Sequence, residues 1–260
     1  MTHTLDVIHA RKSVRAFEDI PISSKDKDKI AHAAMRAPTA GNMMLYSIIE
    51  IQDQAMKDTL VRTCDNQPFI ATAPMVLLFV ADYQRWYDYF ILSGVDEFCE
   101  RNGKTMRKPE EGDLVLACCD AMIAAQTAVL AAESLGIGSC YIGDIMENYE
   151  THKELFQLPK YVLPIGLLCF GYPTRAQKDR ERTSRFDREF IYYKNRYRRL
   201  GGDEFNGMFA EMHEQRMTAK VKNAGITNVG ELMYTRKLGS DYATEMSRSV
   251  RAMLKAWMEK

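Results

Sequence analysis

Residues 11–17 read Arg-Lys-Ser-Val-Arg-Ala-Phe, and the apolar side chains at positions 14 and 16 favour an extended conformation for this stretch. Alternate side chains of an extended segment share one face, so Arg11, Ser13 and Arg15 present two guanidinium groups around a hydroxyl. A guanidinium group offers paired donors and a full charge, which suits a phosphate. The alternative interpretation is a solvated basic edge that binds no ligand.

Helical and extended patterns alternate around this segment and predict an α+β fold. Strands are predicted where β-rich or continuously apolar runs occur, over residues 45–51, 75–81, 138–142 and 162–170. Helices are predicted over residues 4–10, from a cap at Ser23 to about residue 37, and over 53–64, 114–135 and 241 onward. For residues 83–112 the sequence predicts a helix with an irregular insertion.

The run 114–135 is the most apolar long stretch of the chain. Its length raises the possibility of a membrane span. Asp120, Gln126 and Glu133 within it, together with its many alanines, argue against insertion into a bilayer. A helix that is apolar around its whole circumference is instead expected at the centre of a soluble protein or at an interface.

Composition excludes several classes of protein. Among 260 residues, 35 are Lys or Arg and 35 are Asp or Glu, so no global positive field favours nucleic acid. The six cysteines form no C-x-x-C pair and no histidines have ligand spacing, so no metal site is expected. The N-terminus shows no charged region followed by an apolar one, which predicts a cytoplasmic protein.

A basic stretch over residues 175–199 also needs an interpretation. It carries ten basic and four acidic residues, with three tyrosines among them. A solvated connector is the simpler interpretation, and binding of single-stranded nucleic acid is the alternative. The zero net charge of the chain disfavours the alternative.

Two motifs together resemble the flavin-dependent nitroreductase family. The first is Arg-x-Ser-x-Arg-x-Phe at residues 11–17, and the second is Ala-Pro-Thr-Ala-Gly-Asn at residues 37–42, after a helix. The resemblance covers residues 4–45, 66–81, 114–145 and 162–186. It implies an α+β nitroreductase-like fold, with a central mixed or antiparallel sheet wrapped by helices. It also implies a homodimer with residues 114–135 at the interface.

The resemblance further implies a division of the chain. Residues 1–186 are expected to form the nitroreductase-like domain that binds flavin mononucleotide (FMN). Residues 187–260 are expected to form a helical extension that packs on this domain or on the dimer partner. An extension of this length and placement is similar to the larger subgroup of the family, which includes NADPH nitroreductases and flavin reductases.

Site residues follow from the resemblance position by position. It implies that FMN is bound by Arg11, Lys12, Ser13, Arg15, Pro38, Thr39, Ala40, Asn42, Asn66, Gln67, Ile142, Gly143, Arg182 and Arg185. Ile142 and Gly143 match the backbone near flavin N5, and either Arg182 or Arg185 matches the basic residue on the phosphate. Lys12 is a candidate cation near the ring, with a solvated lysine as the alternative. No catalytic side chain is expected, because the flavin carries the chemistry.

The function implied is an FMN-dependent oxidoreductase that uses NADPH or NADH to reduce nitroaromatics, quinones or flavins by ping-pong two-electron transfer. Another reductive reaction, such as dehalogenation or ferredoxin-linked reduction, and a non-catalytic flavin-binding protein stay open as alternatives. The expected partners are a small-molecule acceptor and a second copy of the chain, without nucleic acid or membrane. Arg196, Arg198 and Arg199 are hypothesised to bind the 2′-phosphate of NADPH, or else only to tie the extension to the surface.

Overall fold

The computed structural model describes residues 4–259, which form two compact units. The first unit contains the chain up to Arg180 and again from Met246, and the second contains Glu181–Glu245. The sequence places the boundary at residue 186 and assigns the whole C-terminal part to one extension. The division into an FMN-binding domain and an extension stays a prediction.

A four-stranded antiparallel sheet forms the centre of the first unit, in the order β1-β2-β4-β3. The strands are β1 Tyr46–Glu50, β2 Met75–Asp82, β3 Gly138–Ile142 and β4 Val162–Gly171. All eight residues of β2 are buried, which explains its continuously apolar sequence. The four predicted strands are therefore confirmed.

Helices cover the sheet of the first unit. They are α1 Thr4–Ala10, α2 Ser24–Met35, α3 Gln54–Thr63, α4 Phe69–Thr72, α5 Gln84–Leu92, α6 Val95–Arg101, α7 Glu111–Ser134, α8 Tyr149–Leu155 and α9 Arg175–Asp179. The predicted cap of α2 is confirmed, because the Ser23 hydroxyl accepts a hydrogen bond from the Asp26 N–H at 3.1 Å. Helices α5 and α6 occupy the segment predicted as a helix with an irregular insertion.

The second unit is helical among its described residues. It contains α10 Arg188–Ile191, α11 Gly202–Arg216, α12 Ala219–Asn223 and α13 Val229–Met233, followed by a π-helical turn at Tyr234–Leu238. Its small core centres on Met217, Val229 and Leu232. Helix α14, Asp241–Met258, begins in this unit and ends in the first.

Helix α7 has two different faces. Its alanines at 117, 121, 124, 125, 128 and 132 are buried in the core with residues of β2 and β4. Val115 and Leu116, by contrast, are 60% and 49% exposed, and Met122 and Ile123 are also exposed. Among residues 4–259, α7 is the one helix long and apolar enough to span a membrane, but its alanine face lies in the protein core.

The last part of α14 closes the core of the first unit. Ser249, Met253 and Trp257 are buried, at the i, i+4 spacing that aligns side chains along one face. The Trp257 ring packs edge-on against Tyr161 with a centroid distance of 5.2 Å. Leu254, on another face of the helix, is 41% exposed.

Candidate functional site

The segment 11–17 lies beside the edge strand β3. The Val14 N–H donates to the Ser139 carbonyl at 2.8 Å, and Ser13 pairs with Ser139 as an isolated parallel bridge. The close approach requires glycine at position 138, because a Cβ there would lie 2.6 Å from a Val14 methyl group. The predicted extended conformation of this segment is therefore confirmed, as an addition to the sheet edge.

The chain after β4 returns along the same segment and holds its basic side chains. The Thr174 N–H donates to the Ala16 carbonyl at 3.2 Å. The Lys12 ammonium donates to the carbonyl oxygens of Lys178 and Arg180 at 2.6 and 2.5 Å. The Arg180 guanidinium in turn donates to the Ser13 carbonyl. Lys12 is thus fixed by backbone acceptors, which differs from the solvated lysine considered as the alternative.

The guanidinium charges of this region act on buried groups of β3 and α7. Burial raises the pKa of the Cys140 thiol, and the positive charges of Arg15, Arg180 and Arg11 offset part of this rise. Burial likewise raises the pKa of the Glu133 carboxyl on α7, with a partial offset from Arg11 and Lys12. The positive charges of segment 11–17 and of Arg180 therefore act on the same end of the first unit.

This cluster fits an anionic ligand. Within residues 4–259, neither Arg11, Arg15 nor Arg180 forms an ion pair with a carboxylate, whereas other arginines, such as Arg107 and Arg248, do. Guanidinium groups without a carboxylate partner are suited to binding a phosphate. Arg180 was missed by the sequence interpretation, which selected Arg182 and Arg185.

Arg182 and Arg185 lie in the second unit. The Arg185 guanidinium donates to the carbonyl oxygens of Thr183 and Ser184 at 3.1 and 3.0 Å. Arg11, Arg15 and Arg180 all belong to the first unit. The contact of Arg182 and Arg185 with a flavin phosphate stays a prediction.

A second group of predicted residues meets at the end of β3. Ile142 is buried, and Gly143 begins a 3-10 turn, Gly143–Met146. The Gln67 side-chain amide donates to the Asp144 carboxylate at 2.8 Å and so joins two stretches that the sequence predicts to flank the flavin. Asn66, by contrast, is exposed and has a left-handed backbone with φ 50°.

The third group is the loop that contains Pro38, Thr39, Ala40 and Asn42. Residues Ala40–Asn42 form a 3-10 turn, and three donors of residues 39–45 bind the carboxylate of Asp120 on α7. Sequence reasoning used Asp120 only as an argument against a membrane span and missed this role. The one available signal was a lone aspartate in an alanine-rich helix.

The arginines predicted to meet NADPH also lie in the second unit. Arg198 forms an ion pair with Glu204, and its guanidinium lies 5.7 Å from the centre of the Tyr193 ring. Arg196 and Arg199 are exposed. Of the three, Arg198 therefore has the clearest structural role.

A cavity of about 620 Å³ lies within the second unit. Aromatic and apolar side chains line it together with a histidine, and they include Phe205, Phe209, His213 and Met233. None of the residues predicted to bind FMN or NADPH lines this cavity.

Comparison with known proteins agrees with this geometry. The family model described as "Nitroreductase family" matches residues 8–172. The oxygen-insensitive NADPH nitroreductase of Salmonella typhimurium is 30% identical over 200 residues, 77% of each chain. The FMN reductase (NAD(P)H) of Bacillus subtilis is 30% identical over 215 residues, 83% of this chain and 82% of that protein. The structure of B. megaterium NfrA2 has a TM-score of 0.81 at 27% identity, covering 100% of this chain and 99% of that chain.

The helix-wrapped antiparallel sheet and the basic edge segment define the flavin-dependent nitroreductase fold. The chain belongs to the nitroreductase family. The fold and the family predicted from the two sequence motifs are both confirmed.

Proposed function

We propose that this protein is an FMN-dependent oxidoreductase that uses NADPH or NADH to reduce small acceptors such as nitroaromatics, quinones or flavins. The observation that carries the proposal is the cluster of Arg11, Arg15 and Arg180 beside β3, which forms no ion pair with a carboxylate within residues 4–259. The relatives named NADPH nitroreductase and FMN reductase support the same reaction class.

The residues of the chain have separate roles in this proposal. Arg11, Ser13, Arg15 and Arg180 hold the phosphate through charge-assisted hydrogen bonds. Three further stretches of chain surround the ring and the ribityl chain, namely 38–42, 66–67 and 142–143. Lys12, fixed by two carbonyl oxygens, supplies a positive charge near the ring. FMN supplies the two-electron redox chemistry when it is bound.

Steady-state turnover tests this function against the alternatives. We expect the FMN-loaded protein to oxidise NADPH when an acceptor such as a quinone is present. A protein that binds FMN but does not oxidise NADPH with any acceptor would be the non-catalytic flavin-binding alternative. Turnover with reduced ferredoxin, and not with NADPH or NADH, would favour the alternative of ferredoxin-linked reduction.

We further propose that the protein acts as a homodimer in the cytoplasm, without nucleic acid or membrane partners. The exposed side chains Val115, Leu116, Met122 and Ile123 form an apolar face on α7. Such a face is characteristic of an interface between subunits. The family resemblance implies that FMN would sit across this interface. Equilibrium sedimentation at micromolar concentration is expected to give a dimer, and a monomer would contradict the proposal.

The arginine cluster of the second unit, defined as Arg196, Arg198 and Arg199, is proposed to favour NADPH over NADH. The 2′-phosphate of NADPH adds nearly two negative charges, which one or two arginines would recognise. Arg196→Ala, Arg198→Ala and Arg199→Ala are expected to lower the ratio of kcat/KM for NADPH to that for NADH by about tenfold in at least one variant. Arg175→Ala, which removes a guanidinium from the first unit, is the matched control.

If no variant changes the ratio by even a few-fold, the cluster is structural, as the Arg198–Glu204 pair already indicates for one member.

The same kinetic data test the order of binding. One pocket over one flavin face cannot hold donor and acceptor together, so parallel double-reciprocal lines are expected. Intersecting lines would contradict the shared pocket.

A further inference from the structure

We propose that Asp120 is a positioning residue that sets the shape of the ring loop, defined as residues 39–45, and thereby the affinity for FMN. The inference deepens the proposed function and rests on it. It also changes the expected role of Thr39, because the hydroxyl group of Thr39 helps to hold this loop in shape.

One carboxylate holds both ends of the ring loop. The Ala40 N–H donates to Asp120 Oδ1 at 2.9 Å, and the Leu45 N–H donates to Oδ2 at 3.1 Å. The Thr39 hydroxyl also donates to Oδ2, and its oxygen accepts the Met44 N–H at 2.8 Å. The hydroxyl proton of Thr39 and the amide proton of Ala40 are therefore already used inside the protein.

The backbone of the ring loop needs such a restraint. Gly41, Asn42 and Met44 have left-handed conformations, with φ of 57°, 58° and 51°. Residues with a side chain adopt this region at an energetic cost, so it persists only where surrounding contacts enforce it. The Trp86 indole N–H donates to the Met43 carbonyl at 2.6 Å and supports the loop from α5.

The location of Asp120 argues for a dedicated role. It is 2% exposed on the alanine-rich face of α7, with Ala117, Ala121 and Ala124 as fully buried neighbours on that face. A buried carboxylate is costly unless it is fully hydrogen-bonded. Every hydrogen bond that the described residues make to its side chain comes from the ring loop. The group that holds the ring loop therefore lies on the helix whose other face is proposed to meet the second subunit.

The test replaces Asp120 with an isosteric group. Asp120→Asn has one oxygen and one NH₂ group, so in either orientation of the amide a loop donor faces another donor. Asp113→Asn is the matched control. Asp113 lies on the same helix and is also buried, but it binds the Arg107 guanidinium at 3.0 Å and the Glu110 N–H at 2.9 Å. It makes no hydrogen bond to the ring loop.

The measurements are FMN affinity by fluorescence titration and amide hydrogen exchange of residues 39–45. We expect Asp120→Asn to raise the Kd for FMN at least tenfold and to speed exchange in the apo ring loop. Asp113→Asn is expected to leave both within twofold, even where it lowers the melting temperature. A role of Asp120 in general stability alone would affect both variants alike and would contradict the inference.

Thr39 provides a second and milder test, which can still be carried out if the Asp120→Asn variant does not fold. Thr39→Val is expected to weaken FMN binding several-fold, whereas Thr39→Ser, which keeps the hydroxyl, restores it to within twofold of wild type. Equal Kd values for wild type, Thr39→Val and Asp120→Asn would overturn the inference while leaving the proposed function intact. A wild-type protein that binds no FMN would overturn both.

Discussion

Trp257→Ala is expected to lower the free energy of unfolding by roughly 3–5 kcal/mol, the range for large-to-small changes at fully buried aromatic positions. Trp257 is 1% exposed and packs against Tyr161. Its indole N–H donates to the Glu110 carbonyl at 3.2 Å, at the residue that caps α7. The substitution therefore opens a cavity and also removes a link between the last helix and the start of α7.

Denaturant unfolding at fixed protein and FMN concentrations measures this effect, because ligand and subunit association change apparent stability. Lys255→Ala is the control on the same helix, since Lys255 is exposed and its removal is expected to change stability by less than about 0.5 kcal/mol. Trp257→Phe, which keeps a ring in the core, is expected to fall between the two. A loss below about 1 kcal/mol for Trp257→Ala would show that α14 does not close the core.

Arg11→Ala is expected to weaken FMN binding between about tenfold and a hundredfold, because a charge-assisted contact with a phosphate contributes roughly 1.5–3 kcal/mol. Stability is expected to change little, since the Arg11 side chain is half-buried and makes no ion pair within residues 4–259. Arg175→Ala is the matched control. Its side chain is 95% exposed, and its Nε lies 3.6 Å from a carboxylate oxygen of Asp179.

The same titration separates the phosphate candidates. Arg185→Ala is predicted to weaken FMN binding to a similar degree, and Arg180→Ala tests the residue that the structure adds to the cluster. A loss for Arg180→Ala without a loss for Arg185→Ala would assign the phosphate to residues of the first unit alone. Unchanged affinity in Arg11→Ala, Arg180→Ala and Arg185→Ala would show that the phosphate assignment is wrong.

Local patterns predicted most of the secondary structure because their causes are local. The β2 run is continuously apolar because the strand is buried along its whole length, and α2 begins directly after Ser23 because that side chain caps it. The sequence also predicted a helix from about residue 241, and the structure shows that Ser249, Met253 and Trp257 are its buried side chains.

The parts of the site that were missed depend on contacts between distant residues. Asp120 holds atoms that lie about eighty positions earlier in the chain, and Arg180 reaches back to Ser13. No spacing within either segment encodes these partners. The two family motifs identified the segments 11–17 and 37–42, but the side chains that hold them in shape became evident only from the folded chain.

The visible absorption spectrum of the purified protein, recorded without oxygen before and after addition of NADPH, tests the central claim most directly. The protein is predicted to show the bands of bound FMN after dialysis, and these bands are predicted to lose intensity with NADPH alone. A protein that retains no flavin after incubation with FMN, or whose flavin bands are unchanged by both NADPH and NADH, would contradict the proposed function.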